Sequence, residues 1–460
     1  MVRIAIAYPP LPSEKGVPLL TQNRQFQWFS RPTYIFPVVP ATAATMLKKA
    51  GHEVLFLDGI AAGLSPEEFD RRLAAFAPDY VVLETKTPVV KRHWAWIAGH
   101  DYKAILVGDH VTALPGESAV RKNVHAVLCG GDWDYMLLDF LSGDRHAGIY
   151  PMVLRHDLKD APWIDRELVH WELYAHRNGN FKRTPGTYIM SGRDCWHGKC
   201  TFCSWTTLYP KYRTRDPMDV VDEIEMLVGK YGVKEIMDDS GSFPVGPWLT
   251  AFCNEMIRRG LNRRVRIDCN MRFGRLGYED YRLMRKAGFR LVLFGVESAN
   301  QTTLDRFNKA LTVKDVEDGA AWASKAGLSV HLTFMFGHAW EGPDEIANTV
   351  KLARRLLANG HAATLQCTLT VPYPGTPLFK ELQAEDGLTT LDWDEYDQRR
   401  AITKTPLATE AEIKAAVRAV YRGFLQPRAI VHLVRRNLFD FAFYYRGVRY
   451  LIGHLLDFSS

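Results

Sequence analysis

The feature that limits this chain most is a strand and helix alternation that runs along it twice. The first series reads RIAIAY, TAATMLKKAGHEVLFLD, FDRRLAAFAPDYVVLE, AILVGD and AVLCGG. Short apolar runs separated by helical periodicity predict a parallel sheet covered by helices. Glycine and aspartate stand where those runs end, and the loops at such strand ends are where an open α/β sheet holds a ligand. The second series reads TYIMSG, VKEIMDDSG, VRIDCNM, LVLFGVES, SVHLTFMFG and ATLQCTLTVPYPG, separated by helical stretches such as PMDVVDEIEMLVGKYG and VEDGAAWASKAG. Six units predict a partial (β/α)6 barrel of the TIM type, whose chemistry sits at the carboxyl ends of its strands.

A chain of 460 residues exceeds what one core usually organises. The α/β reading therefore divides into a Rossmann-like domain over 1–150, a connection over 151–183, a barrel over 184–385 and a helical C-terminal part over 386–460. Lys and Arg total 58 against 52 Asp and Glu, without a basic stripe interleaved with aromatics, so no nucleic-acid partner is expected. The opening MVRIAIAYPP lacks the long apolar core of a secretory signal, and no apolar stretch is long enough to suggest a membrane span. Both point to a cytoplasmic protein. Seven cysteines, an odd number in such a chain, argue against a disulfide framework.

Three of these cysteines, Cys195, Cys200 and Cys203, fall within the loop SGRDCWHGKCTFCSW, which follows the first barrel strand. Gly192 and Gly198 allow that loop to wrap tightly. A 4Fe-4S cube is held by Cys thiolates, and three local thiolates leave one iron open to bind a substrate as well as pass an electron. The competing reading is a zinc site made of Cys195, His197, Cys200 and Cys203, in an interaction protein without catalysis. The spacing of His197, two residues from Cys195, makes joint ligation awkward.

The loop resembles the signature of the radical S-adenosylmethionine (SAM) superfamily, including the aromatic Phe202 just before the third cysteine. It departs in having four residues between the first two cysteines where the superfamily usually has three. The resemblance implies that the amino and carboxylate groups of SAM chelate the open iron and that SAM is cleaved reductively to a 5'-deoxyadenosyl radical. It also implies SAM contacts at Asp238, Asp239 and Ser240 of MDDSGSF and at Glu297 and Ser298 of LFGVESAN, with Lys309 twelve residues after the glutamate. TVPYPGTPLF is close to the family's text after the last strand, whereas His338 and Trp340 replace its Leu-Pro after the fifth.

The N-terminal series, with YPP, KKAGHEVLFLDG, PDYVVLETKTP and VGDHVTALP, is similar to the cobalamin-binding domain of one branch of that superfamily. Asp109 and CGGDWD depart from the branch's text, and no histidine motif for a cobalt ligand is present. The resemblance implies corrin contacts at Thr85, Thr87, Gly108, His110 and Gly130, because small or hydroxyl-bearing residues let a flat macrocycle and its amides approach backbone. Methylation of an unactivated carbon of a small-molecule or lipid-like substrate is the leading implied reaction, with a cyclase or oxidative rearrangement, with or without cobalamin, as the alternative. A flavodoxin or ferredoxin would supply electrons. The stretch from Ala429 to Phe458 carries Arg435, Arg436, Arg446 and Arg449 beside Leu438, Phe439, Phe441, Phe443, Tyr444 and Tyr445. It reads as an amphipathic helix that either packs on the barrel or makes a peripheral membrane contact.

Overall fold

Near-continuous apolar runs make strands that are buried on both faces, as in the central strands of the first sheet, whereas Phe289–Glu297 and Ser329–Phe336 of the second alternate buried and half-buried residues. The computed structural model describes residues 1–18, 28–29, 32–154 and 157–436. The first sheet has strands β1 (Arg3–Tyr8), β2 (Glu53–Asp58), β3 (Tyr80–Glu84), β4 (Ala104–Val107), β5 (Val124–Leu128) and β6 (Gly148–Tyr150), in the order β2-β1-β3-β4-β5-β6. All its pairings are parallel. The order reverses between β1 and β3, which places the ligand crevice of a doubly wound sheet at the carboxyl ends of those strands. Tyr8 and Glu84 occupy those ends, and the Tyr8 hydroxyl donates to Glu84 Oε2 at 2.6 Å. The short β6, half-buried to exposed, is the one strand of this sheet that the sequence pattern does not announce.

The second sheet contains β7 (Gly186–Ile189), β8 (Glu235–Asp238), β9 (Arg266–Met271), β10 (Phe289–Glu297), β11 (Ser329–Phe336) and β12 (Thr364–Leu369), parallel and in consecutive order. These are the six expected units. Helices between them start where local chemistry requires. Asp216 caps the helix Pro217–Tyr231 by accepting from Met218 N, and Thr312 with Asp315 forms a reciprocal capping box for Val313–Lys325.

The connection is packed rather than loose. Within it, Arg166 is fully buried and donates to Thr187 Oγ1 (2.7 Å) and the Tyr188 carbonyl (2.9 Å), while the Tyr174 hydroxyl donates to Asp58 Oδ2 (2.6 Å) at the end of β2. One apolar core therefore runs from the first sheet into the second.

The C-terminal part does more than cap the barrel. Trp393, Tyr396 and Ile402 are buried with Val81, Leu83 and Val90 against the other face of the first sheet, and Lys15 pairs with Asp397 at 2.5 Å. The helix Glu410–Tyr421 then lies on the barrel, where the Tyr421 hydroxyl accepts from Cys367 N. A last helix, Pro427–Arg436, exposes Ile430, Val431 and Val434. The rest of the basic aromatic stretch, residues 437–460, lies outside the described residues. Among the described residues no helix is long and apolar enough to cross a membrane.

Candidate functional site at the facing ends of two sheets

The chain leaving β7 is pinned before it reaches the cysteines. Asp238, at the end of β8, accepts from Ser191 N (2.9 Å) and Ser191 Oγ (2.5 Å) through Oδ2 and from Ser240 N (3.0 Å) through Oδ1. Ser240 Oγ accepts from Gly192 N (2.8 Å), and Ser242 N donates to the Asp194 carbonyl (3.1 Å). The acidic turn expected to contact SAM thus holds the entry to the cysteine loop through Asp238 and Ser240. Asp239 is buried beside them. Burial raises the Asp238 carboxyl from its ordinary range, against the hydrogen bonds from Ser191 and Ser240.

The loop itself is closed by a two-residue antiparallel pairing of Gly192–Arg193 with Arg213–Thr214. Within it Cys200 is buried and Cys195 and Cys203 are partly exposed. Burial pushes the Cys200 thiol up, while Lys309 and Arg272 oppose that shift by favouring the thiolate. Arg272 Nη1 donates to Cys200 Sγ at 3.6 Å. His197 Nε2 bonds the Asn308 carbonyl at 2.7 Å, which engages that nitrogen away from the cysteines. Among the described residues no three His, Cys, Asp or Glu side chains gather closely enough to hold one ion. A cube spreads its thiolates over separate irons, and three thiols on one glycine-containing loop fit that group.

Glu297 ends β10 in the left-handed region (φ 70°), beyond a register shift between Gly295 and Glu297. That turn carries its carboxylate to Lys309, with Nζ to Oε1 at 2.5 Å and both side chains buried. Gly295 leaves the space this pair occupies, since a Cβ would lie 2.3 Å from Glu297 Oε1 and 2.9 Å from Lys309 Nζ. Lys309 Nζ also stands 5.8 Å from the ring centre of Phe202, which packs edge-on against Phe307 at 4.8 Å. Glu297, Lys309, Phe202 and the cysteine loop are thus brought together. Ser298 is not among them. Its hydroxyl donates to Glu341 Oε1 (2.7 Å), which also accepts from Thr303 Oγ1 (2.7 Å) and Asn300 Nδ2 (3.1 Å).

Above the first sheet lies a narrow cleft lined among others by Thr85, Gly108, Gly130, Glu84, Lys86 and Asp109. Three of the five residues expected to touch a corrin therefore share one surface. The other two do not reach it: Thr87 and His110 bond each other at 3.2 Å behind the cleft, where His110 packs edge-on against Trp393. Gly108 has φ 113° and a Cβ there would lie 2.3 Å from the Thr85 carbonyl oxygen, so the backbone approaches as only glycine allows. Thr85 Oγ1 is buried without a hydrogen-bond partner. A glycine-walled edge with an unsatisfied hydroxyl fits a flat macrocycle bearing amides at its rim. Burial raises the Glu84 carboxyl to about 7 and raises that of Asp109, so this floor carries less charge than its sequence suggests.

The two sites face each other across one turn, Gly131 to Asp134, which sequence reasoning flagged only as a departure. Asp132 and Asp134 hold Arg193, two residues before Cys195, at 2.9 and 2.5 Å, and Asp132 also pairs with Arg213 at 2.6 Å. From the far side of the cysteines, the Leu208 carbonyl accepts from Gly131 N (3.1 Å) and the Tyr209 hydroxyl donates to the Gly131 carbonyl (2.9 Å). Gly131 has no room for a side chain, because a Cβ would lie 2.2 Å from the Tyr209 ring.

Residues 189–353, which span the cysteine loop and most of the second sheet, match the model of the Radical SAM superfamily. The barrel is a radical SAM domain. Over 457 aligned residues the chain is 27% identical to the anaerobic magnesium-protoporphyrin IX monomethyl ester cyclase of Cereibacter sphaeroides, covering 90% of this chain and 69% of that one. It is 25% identical to an uncharacterized methyltransferase of Pyrococcus horikoshii, covering 86% and 89%. The fold matches the radical SAM methyltransferase TsrM of Kitasatospora setae, solved with cobalamin and a 4Fe-4S cluster, with TM-score 0.65 at 16% identity over 93% of this chain and 90% of that one. That likeness extends the agreement in fold to the first sheet, beyond the radical SAM domain.

Proposed function

We propose that this protein is a cobalamin-dependent radical SAM enzyme that methylates an unactivated carbon of a small, hydrophobic molecule. The observation that carries the reading is the shared turn Gly131 to Asp134, which ties both ends of the three-cysteine loop of the radical SAM domain to the edge of the glycine-walled cleft of the first sheet. Cys195, Cys200 and Cys203 hold the 4Fe-4S cluster, and Thr85, Gly108 and Gly130 receive the corrin. Once bound, these groups supply the electron that cleaves SAM and the methyl group for transfer.

The chain's own contribution is placement and exclusion of water. Glu297, fixed by Lys309, offers carboxylate oxygens to the ammonium end of SAM at the mouth of the radical SAM domain, and Phe202 with Phe307 shields that side of the loop. Asp238 and Ser240 keep the loop in register, and Asp239 lies beside them. The named cyclase relative favours a second reading, oxidative ring formation on a flat substrate, by the same initiation. We also place the protein in the cytoplasm, reduced by a flavodoxin or ferredoxin, with the exposed Ile430, Val431 and Val434 face of the last helix as a point of membrane contact.

Protein prepared anaerobically should contain iron, sulfide and cobalamin, and with SAM and reductant it should form 5'-deoxyadenosine. Adding an accepted substrate should give a product heavier by one methyl group under the first reading, and lighter by hydrogen under the second. Protein with iron but no affinity for cobalamin would exclude the methylation reading and leave the second.

A further inference from the structure

The cysteine loop carries Trp196 between its first two cysteines. The Trp196 ring lies beneath two guanidinium groups, Arg272 at 5.3 Å and Arg275 at 5.4 Å. Arg272 follows directly on β9 and is half-buried. Its Nη1 donates to Cys200 Sγ at 3.6 Å and its Nη2 to the Lys309 carbonyl. Stacking and two directed N–H bonds fix the planar fork, which a lysine could not reproduce.

The charge near that sulfur is unequally balanced. Lys309 lies close to Cys200, but Glu297 pairs with it at 2.5 Å. Arg272, by contrast, has no carboxylate at ion-pair distance among the described residues, and its partners are a sulfur, a carbonyl and an indole face. Hydrogen bonds to cluster sulfurs and nearby charge are what set an iron-sulfur potential. A reduced cluster carries one more negative charge than the oxidised one, so a cation held at a ligand sulfur stabilises the reduced form.

On the reading that the three cysteines hold a cluster, we propose that Arg272 is a positioning and tuning residue, fixed by Trp196, that raises the cluster's reduction potential through its N–H···S bond and its charge.

The test is an anaerobic redox titration of the reconstituted full chain, followed by electron paramagnetic resonance, with iron counted for each variant. Arg272→Gln keeps a donor and loses the charge, and Arg272→Met loses both. With iron content equal to the parent, the midpoint should move to more negative potential in Arg272→Gln and further in Arg272→Met, while Trp196→Leu should give a smaller shift in the same direction. An unchanged midpoint in an iron-replete Arg272→Gln overturns the proposal, even if Arg272→Met fails to assemble a cluster. A parent protein that takes up no iron fails at the earlier step, and overturns the cluster reading together with this one.

Discussion

The carboxyl ends of the two sheets are built for opposite kinds of ligand. At the first sheet, Gly108 and Gly130 expose backbone and the acids Glu84 and Asp109 are pushed toward their neutral forms by burial. At the second, thiols, the Glu297 to Lys309 pair and Arg272 keep sulfur and charged groups at the mouth. The same parallel architecture thus makes one edge suited to a large, flat ligand held by shape and amide contacts, and another suited to a zwitterionic ligand held by charge. Beside the apolar core that the two sheets share, the edges are joined by a set of carboxylates and guanidiniums, Asp132, Asp134, Arg193 and Arg213.

The sharpest way to separate the two edges is Cys200→Ala. It should abolish 5'-deoxyadenosine formation and deplete iron while cobalamin uptake, measured by visible absorption after gel filtration, persists. Loss of both would mean that the edges are not independent ligand sites. Next in size is the joint between them. Asp134→Asn leaves Arg193 buried with one carboxylate, and removing a partner from a buried pair typically costs about 3 kcal/mol. Chemical denaturation should report that loss, and a change near zero would show that the pair is not structurally coupled to the rest.

A smaller effect is expected at the charged edge. Glu297→Gln leaves Lys309 buried without its partner, and the affinity for SAM, read by equilibrium dialysis, should fall about tenfold, equivalent to roughly 1.4 kcal/mol. The smallest belongs to the edge of the first sheet. Glu84 titrates at about 7 in the fold against an ordinary value of 4.5, so the folded form holds a proton that the unfolded chain releases between those values. Its contribution to stability is therefore full below pH 4.5 and is lost as the pH rises through 7. Relative to the parent, Glu84→Gln should flatten the fall in denaturation midpoint between pH 5 and 7.5. An identical slope in both proteins would place the titration elsewhere.

Much of this was legible because parallel strands write themselves as apolar runs. All six strands of the barrel and five of the first sheet follow from that pattern. The exposed Gly148–Tyr150 strand carries no such run and escaped. Side-chain direction was the other blind spot. Sequence places Thr85, Thr87, Gly108, His110 and Gly130 at strand ends alike, yet the turn after β4 directs His110 toward Thr87 and Trp393 and away from the cleft. Ser298, likewise, follows Glu297 in sequence, but the left-handed turn at Glu297 sends its hydroxyl to Glu341. Pairings across long separations, such as Asp134 with Arg193, leave no local periodicity at all; only the unusual text CGGDWD marked the position.

The central claim is most directly tested by the electron paramagnetic resonance spectrum of the anaerobically reconstituted, reduced protein with and without SAM. The account predicts a 4Fe-4S signal that changes shape when SAM is added, since one iron is left open by three cysteines. A signal indifferent to SAM, or protein that takes up zinc in place of iron, would contradict it.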